Sequence, residues 1–230
     1  MEYKTLNNGL KMPMVGLGVY NIPEKETQRV VEDALSVGYR SIDTAAMYEN
    51  EKGVGDAVRA CNVPREGLFK AIGVSNFYPN TFPMIVKDTK IMPVVNQCEA
   101  HVLYQQRKMR EYLKPYDVAL EAWSPLAEGR SSIFKDKTLV GIGEKYGKTS
   151  AQIALKFLVQ NDIIIIPKTT HKERMVENIS LFDFTLTDDD LAAIRRLDTG
   201  RNVTGWPSDA LRYEPASVDW PSAVNYFVLT

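Results

Sequence analysis

At 230 residues, with 28 Lys and Arg against 29 Asp and Glu, the chain carries a formal charge of -1 and lacks the basic excess that nucleic acid or an anionic membrane surface requires. A hydrophobic fraction of 44% over this length suffices for one substantial core, so one folded unit over residues 1–230 is expected. Cys61 and Cys98 fit no disulfide framework or metal spacing, which points to packed thiols in a reducing, cytoplasmic setting.

Met1 to Lys4 leads into a polar turn without a signal-type apolar run. Leu6-Asn7-Asn8-Gly9-Leu10 then sets an Asn-Gly pair between apolar residues, a hairpin signal. Met14 to Val19 reads as a first strand, and Glu26 to Val37 as a helix stopped by Gly38. Tyr39 to Thr44 is a second strand, followed by a helix over Glu51 to Cys61. The alternation continues with strands at Leu68 to Val74, Val94 to Glu99, Val118 to Trp123 and Asp162 to Ile166. Helices are expected near Thr81 to Asp88, Gln105 to Lys114, Lys137 to Tyr146 and Ser150 to Asn161. Thr170-His171-Lys172-Glu173 has a capping-box pattern and Thr187-Asp188-Asp189-Asp190 opens one more helix. Such alternation argues an α/β fold with a parallel sheet. Ile163 to Ile166, the longest apolar run, is too short to cross a bilayer. Beyond Gly200 no period persists, so Arg201 to Thr230 reads as a tail over the body.

Asp43 ends a strand and Tyr48 follows five residues later in the turn before a helix, so one loop carries a carboxylate and a phenol over the same end of the sheet. That pairing suits acid/base work, although an Asp capping a turn beside a Tyr in a surface notch would look the same. Gly53-Val54-Gly55 is no dinucleotide fingerprint, because it lies inside a helical pattern with Val58 where a third small residue belongs. Polar groups at other strand tips, Ser75, Asn76 and Gln97, are suited to hold a carboxamide, and Trp123 offers a stacking face. Lys168 and Arg174 flank a helix start, where cations and unpaired amides suit a phosphate. His171 falls in that region, and His101 is expected to be structural.

The stretch Ser41 to Glu51, with Gly16-Leu17-Gly18, Gly73-Val74-Ser75-Asn76-Phe77, Val95-Asn96-Gln97, Ala122-Trp123-Ser124-Pro125-Leu126 and Ile166-Pro167-Lys168-Thr169, resembles the aldo-keto reductase family in content and order. The resemblance implies a TIM-type (β/α) barrel with an N-terminal hairpin, and reduction of a small aldehyde or ketone by NADP(H), with Tyr48 as general acid and Asp43 organising its surroundings. It also implies a cofactor site formed by Gly18, Val19, Tyr20, Asp43, Ser75, Asn76, Gln97, Trp123, Ser124, Pro125 and Leu126. Lys168, Thr169, Thr170 and Arg174 are then assigned to the 2′-phosphate, with Glu177 and Asn178 near the adenine. No metal is implied, and oligomeric state stays open with a monomer favoured.

The chain departs from that pattern at one place. Pro64 to Phe69 resembles the lead-in to the family's third strand, whereas Lys70 to Val74 resembles the fifth, so two strand-helix units are missing between Phe69 and Lys70. Six strands remain, and because strand number and diameter are linked, an open or incomplete barrel is expected. The family's catalytic lysine and histidine belong to the missing units. The alternative to an active reductase is therefore a catalytically impaired relative that still binds NADP(H).

Overall fold

The structure, a computed structural model, describes residues 1–61, 72–88, 92–129, 132–206 and 227–228. Strands β1 (Tyr3–Thr5) and β2 (Lys11–Pro13) form the expected antiparallel hairpin, with Tyr3 opposite Pro13. The turn closes because Leu6 N donates to Leu10 O at 2.9 Å and Gly9 takes φ +81°, which a residue without Cβ adopts freely.

Strand and helix then alternate: β3 (Leu17–Gly18), α1 (Glu24–Ser36), β4 (Ile42–Asp43), α2 (Glu51–Ala60), β5 (Ile72–Ser75), α3 (Phe82–Asp88), β6 (Val95–Glu99), α4 (Arg107–Leu113) and β7 (Ala119–Trp123). Helices α5 (Lys137–Tyr146) and α6 (Ser150–Gln160) precede β8 (Ile164–Ile165), α7 (Lys172–Ile179), α8 (Asp188–Arg195) and β9 (Phe227–Val228). The parallel strands β8, β7, β6 and β5 lie side by side, and β3 pairs with β4. Val15 joins the two groups by bridging Ile165, with Gly16 N donating to Ile165 O at 2.8 Å. Six parallel strands thus run in the order β4, β3, β8, β7, β6, β5. The barrel order is present, and among the described residues no strand pairing joins β4 to β5.

Side-chain alternation does the rest. Val30, Val31, Ala34 and Leu35 face inward from α1 at helical spacing, and Ile163 to Ile165 are buried on both faces of their strand, as expected where helices cover a parallel sheet. The apolar interior forms one core that runs from Leu6 to Ile194.

Three expectations change. The strand read over Leu68 to Val74 is described only from Ile72, and it continues to Ser75; its lead-in and the Phe69–Lys70 junction lie outside the described residues. The 201–230 tail is not without strand: Phe227–Val228 pairs antiparallel with Ile72 and Gly73 on the outer edge of β5, while Trp220 lies outside the described residues. The capping box at Thr170–Glu173 does not form, because α7 starts after His171 and has no side-chain cap. Capping boxes form instead at Thr149–Gln152 and Thr187–Asp190, where the Ser/Thr stands at the N-cap itself.

Gly53 and Gly55 sit inside α2, which excludes a phosphate loop there. A Cβ on Gly53 would lie 2.9 Å from Thr27 Cβ and 3.1 Å from Glu24 O, so this glycine lets α1 and α2 touch, whereas at Gly55 the nearest atom is the flexible guanidinium of Arg59 at 3.3 Å. Alanine gains about 1 kcal/mol of helix propensity over glycine. Overpacking costs about 1 to 3 kcal/mol. Gly55→Ala should therefore raise the urea midpoint and Gly53→Ala lower it; equal shifts in the two variants would contradict this packing.

Candidate active site and cofactor site

The loop after β4 brings together the two residues that the sequence placed over one end of the sheet. Asp43 pairs in register with Gly18 and is 3% exposed, and Tyr48 ends a one-turn 3-10 helix, Ala46–Tyr48, closed by Glu49 at φ +54°. The Tyr48 ring meets the edge of Tyr20 at 5.0 Å and 61°. Asn50 holds this loop in place: fully buried, it donates to Val19 O at 2.9 Å and Ile22 O at 3.0 Å and accepts from Thr44 Oγ1 at 3.0 Å. Asn50 stands at the N-cap of α2, yet its side chain makes no cap bond and ties the tips of β3 and β4 together instead.

Inside the barrel, Gln97 Nε2 donates to Asp43 Oδ1 and to Glu121 Oε2, both at 2.9 Å. The trio joins β4, β6 and β7 across the interior. Glu121 is 1% exposed, and its second oxygen, like the Ser41 hydroxyl, is buried without a hydrogen-bond partner among the described residues. Burial pushes the Asp43 carboxyl up to about 7 against the pull of Gln97. Burial and the Asp43 charge push Glu121 up to about 8. Sequence reading missed Glu121, because an acid within an apolar strand carries no signal of its partner.

Both folded-state values lie above those of an unfolded chain, so the folded protein binds protons more tightly across this range. The stabilisation is complete below pH 4 to 5 and is lost as pH rises toward about 8. Glu121→Gln removes one of the two titrating groups and keeps an acceptor for Gln97. It should raise the melting temperature at pH 8 and flatten the decline between pH 5 and 8; an unchanged pH profile would refute the buried-acid assignment.

Tyr48 holds its proton more tightly than a free tyrosine, first through burial, then through charge repulsion from Asp43 and Tyr20. No cation among the described residues is one of these influences. At the β5 tip Asn76 turns at φ +59°, which Asn tolerates better than most residues, and its Oδ1 accepts from Trp123 Nε1 at 3.0 Å. Asn76 Nδ2 donates to Ser75 Oγ at 3.2 Å, and Ser75 Oγ donates to Gln97 O at 3.1 Å. Ser75, Asn76, Gln97 and Trp123 thus converge, with Trp123 half-buried at the end of β7. Beyond it Ser124 takes φ +50° and Pro125 is buried.

Lys168 and Arg174 are exposed, and neither has an ion pair among the described residues. Between them Thr169 Oγ1 accepts from His171 N at 3.2 Å, and α7 presents an N-terminus with no side-chain cap. The Glu177 carboxylate, expected near an adenine, accepts from Thr149 Oγ1 at 2.5 Å at the start of α6, and Asn178 is buried. The described residues include no group of three or more His, Cys, Asp or Glu suited to a metal, and no helix long and apolar enough to cross a membrane.

Glu99, another residue missed in sequence, ends β6 and anchors the segment after α8. Its Oε1 accepts from Val203 N at 2.8 Å and from His101 Nε2 at 3.1 Å, and Oε2 accepts from Thr204 Oγ1. Leu103 N donates to His101 Nδ1 at 3.2 Å, so the imidazole proton lies on Nε2 and His101 is structural. Burial would raise the Glu99 pKa, but hydrogen bonds from His101, Thr204 and Val203 hold it below the ordinary value.

The sequence profile of the aldo/keto reductase family matches residues 14–69 and 61–199. The chain belongs to the aldo/keto reductase family. It is 33% identical over 267 aligned residues to a 9,11-endoperoxide prostaglandin H2 reductase of Trypanosoma cruzi, covering 89% of this chain and 94% of the relative. It is 32% identical to the methylglyoxal reductase DkgA of Escherichia coli, covering 86% and 94%. Among solved structures, an aldo-keto reductase from a Medee basin deep-sea metagenome library superposes with a TM-score of 0.83 at 31% identity, covering 86% of this chain and 96% of that one. A mutant of Gox0644 in complex with NADPH gives a TM-score of 0.79 at 30% identity, covering 87% and 95%. These likenesses make the chain a TIM-type oxidoreductase of carbonyl-reducing kind. The 267-residue alignment is longer than the 230-residue chain, so this aldo/keto reductase lacks residues that its relative possesses. The two profile segments meet at 61–69, next to the Phe69–Lys70 junction.

Proposed function

We propose that the chain binds NADP(H) across the strand tips and reduces a small aldehyde or ketone, with Tyr48 as proton donor and Asp43 organising its surroundings. The observation that carries this reading is the convergence of Asp43, Tyr48, Asn76, Gln97 and Trp123 at one end of the open barrel. The donor set fits the cofactor. Gln97 keeps its carbonyl oxygen for a carboxamide, Trp123 offers a ring face, and Lys168 and Arg174 with the uncapped start of α7 suit a phosphate.

Bound NADPH supplies a hydride. Tyr48 Oη then gives a proton to the carbonyl oxygen as negative charge develops there. Its raised pKa keeps the proton in place at neutral pH but makes it a reluctant acid, and a neighbouring cation normally corrects this by about 1 to 3 pKa units. None of the described residues supplies that cation, which favours slow turnover. This is also the observation behind a second reading, a relative that binds NADP(H) with impaired catalysis.

Both readings require the phosphate contact. Charge-assisted contacts of this kind contribute about 1.5 to 3 kcal/mol each. Arg174→Ala should weaken NADPH binding accordingly, at least tenfold by fluorescence titration, and leave NADH nearly unchanged. Equal loss for both nucleotides would remove Arg174 from the 2′-phosphate.

A further inference from the structure

We infer that Glu121 is a positioning residue that restricts Gln97 to accepting, not donating, a hydrogen bond at the cofactor site. A primary amide has two N–H donors and one carbonyl acceptor, and which end points where is set by its partners. Here both partners at the nitrogen end, Asp43 Oδ1 and Glu121 Oε2, are carboxyl oxygens at 2.9 Å. The two N–H protons are therefore spent inside the barrel, and only the carbonyl oxygen of Gln97 remains for a ligand. Asp43 alone would use one N–H and leave the other free. Glu121 is thus the residue that makes Gln97 a pure acceptor, and its own 1% exposure keeps water from competing for that role.

The consequence is selectivity for a nicotinamide whose amide can donate. This rests on the NADP(H) reading, and it goes further by assigning a role to a buried acid that never touches the ligand. The 3-acetylpyridine analogue of NADPH has a carbonyl but no N–H at that position, so Gln97 as an acceptor gains nothing from it. Loss of one such hydrogen bond corresponds to on the order of 3- to 10-fold in dissociation constant.

The test compares binding of NADPH and of its 3-acetylpyridine analogue by calorimetric titration, so that turnover is not needed. The wild-type chain should bind NADPH about 3- to 10-fold more tightly than the analogue. Glu121→Leu frees one N–H of Gln97 to meet either carbonyl, so the ratio should fall toward 1. Glu121→Gln keeps an oxygen acceptor for Gln97 and should preserve the wild-type ratio, a distinction that loss of packing alone would not produce. If Glu121→Leu fails to fold, Glu121→Met serves as the apolar variant. An unchanged ratio in the apolar variant, or a collapse in Glu121→Gln as well, overturns the assignment. Gln97→Leu separates the two layers. If it abolishes discrimination while the apolar Glu121 variant retains it, the Glu121 role fails and the Gln97 contact stands; if it leaves discrimination intact, the Gln97 contact fails and the Glu121 role with it.

Discussion

Two buried carboxyls share one amide nitrogen, and the rest of the site depends on that constraint. An uncompensated carboxylate in an apolar interior costs several kcal/mol, so the pair survives by hydrogen bonding to Gln97 and by retaining protons toward neutral pH. The shared donor links β4 to β6 and β7 across the interior, where among the described residues no sheet pairing joins β4 to β5. The same arrangement sets the chemistry beside it. The Asp43 charge adds to burial in holding the Tyr48 proton.

The open side is managed by other means. Exposed strand edges invite pairing with other chains, and β4 offers only Ile42 and Asp43. The outer edge of β5 is met by Phe227–Val228, which run antiparallel where a closed barrel continues with parallel strands. Asn50 supplies from a side chain the link between the β3 and β4 tips that a short, two-residue pairing leaves weak. Glu99 likewise fixes residues 203–204 at the β6 tip, next to Trp123 in register, so the segment leaving α8 is tethered at the Trp123 end of the sheet.

Much of this was legible in the sequence where the signal was local. The Asn-Gly turn, the helix stop at Gly38 and the alternation of apolar runs correspond to observed elements within a few residues, because each depends on propensity and periodicity near its own position. The motifs locate Asp43, Asn76 and Trp123 at strand ends and Tyr48 in the loop after β4 for the same reason, whereas Gln97, expected at a strand tip, lies in the middle of β6 and points into the interior. What was not legible depends on partners far along the chain. Glu121 reaches Gln97 24 residues away, and Glu99 reaches Thr204 105 residues away; neither distance leaves a trace in local pattern. The expected capping box at Thr170 failed because the helix begins one residue later, after Thr169 has bonded His171. Phe227–Val228 lies in a stretch without sustained period and, among the described residues, pairs with the β5 edge.

On the proposed reading binding and chemistry come apart in this chain: the side chains suited to NADP(H) converge, while Tyr48 stands beside an acid and, among the described residues, without a cation. The decisive measurement is therefore NADPH binding and NADPH oxidation with methylglyoxal, side by side, on protein whose intact mass matches the 230 residues. Saturable, 2′-phosphate-dependent binding is expected, with turnover about 10² to 10⁴ below the roughly 10 s⁻¹ typical of enzymes. Turnover at or above that typical rate would contradict the claim that Tyr48 is untuned, and absence of NADPH binding would contradict the claim that the cofactor site is intact.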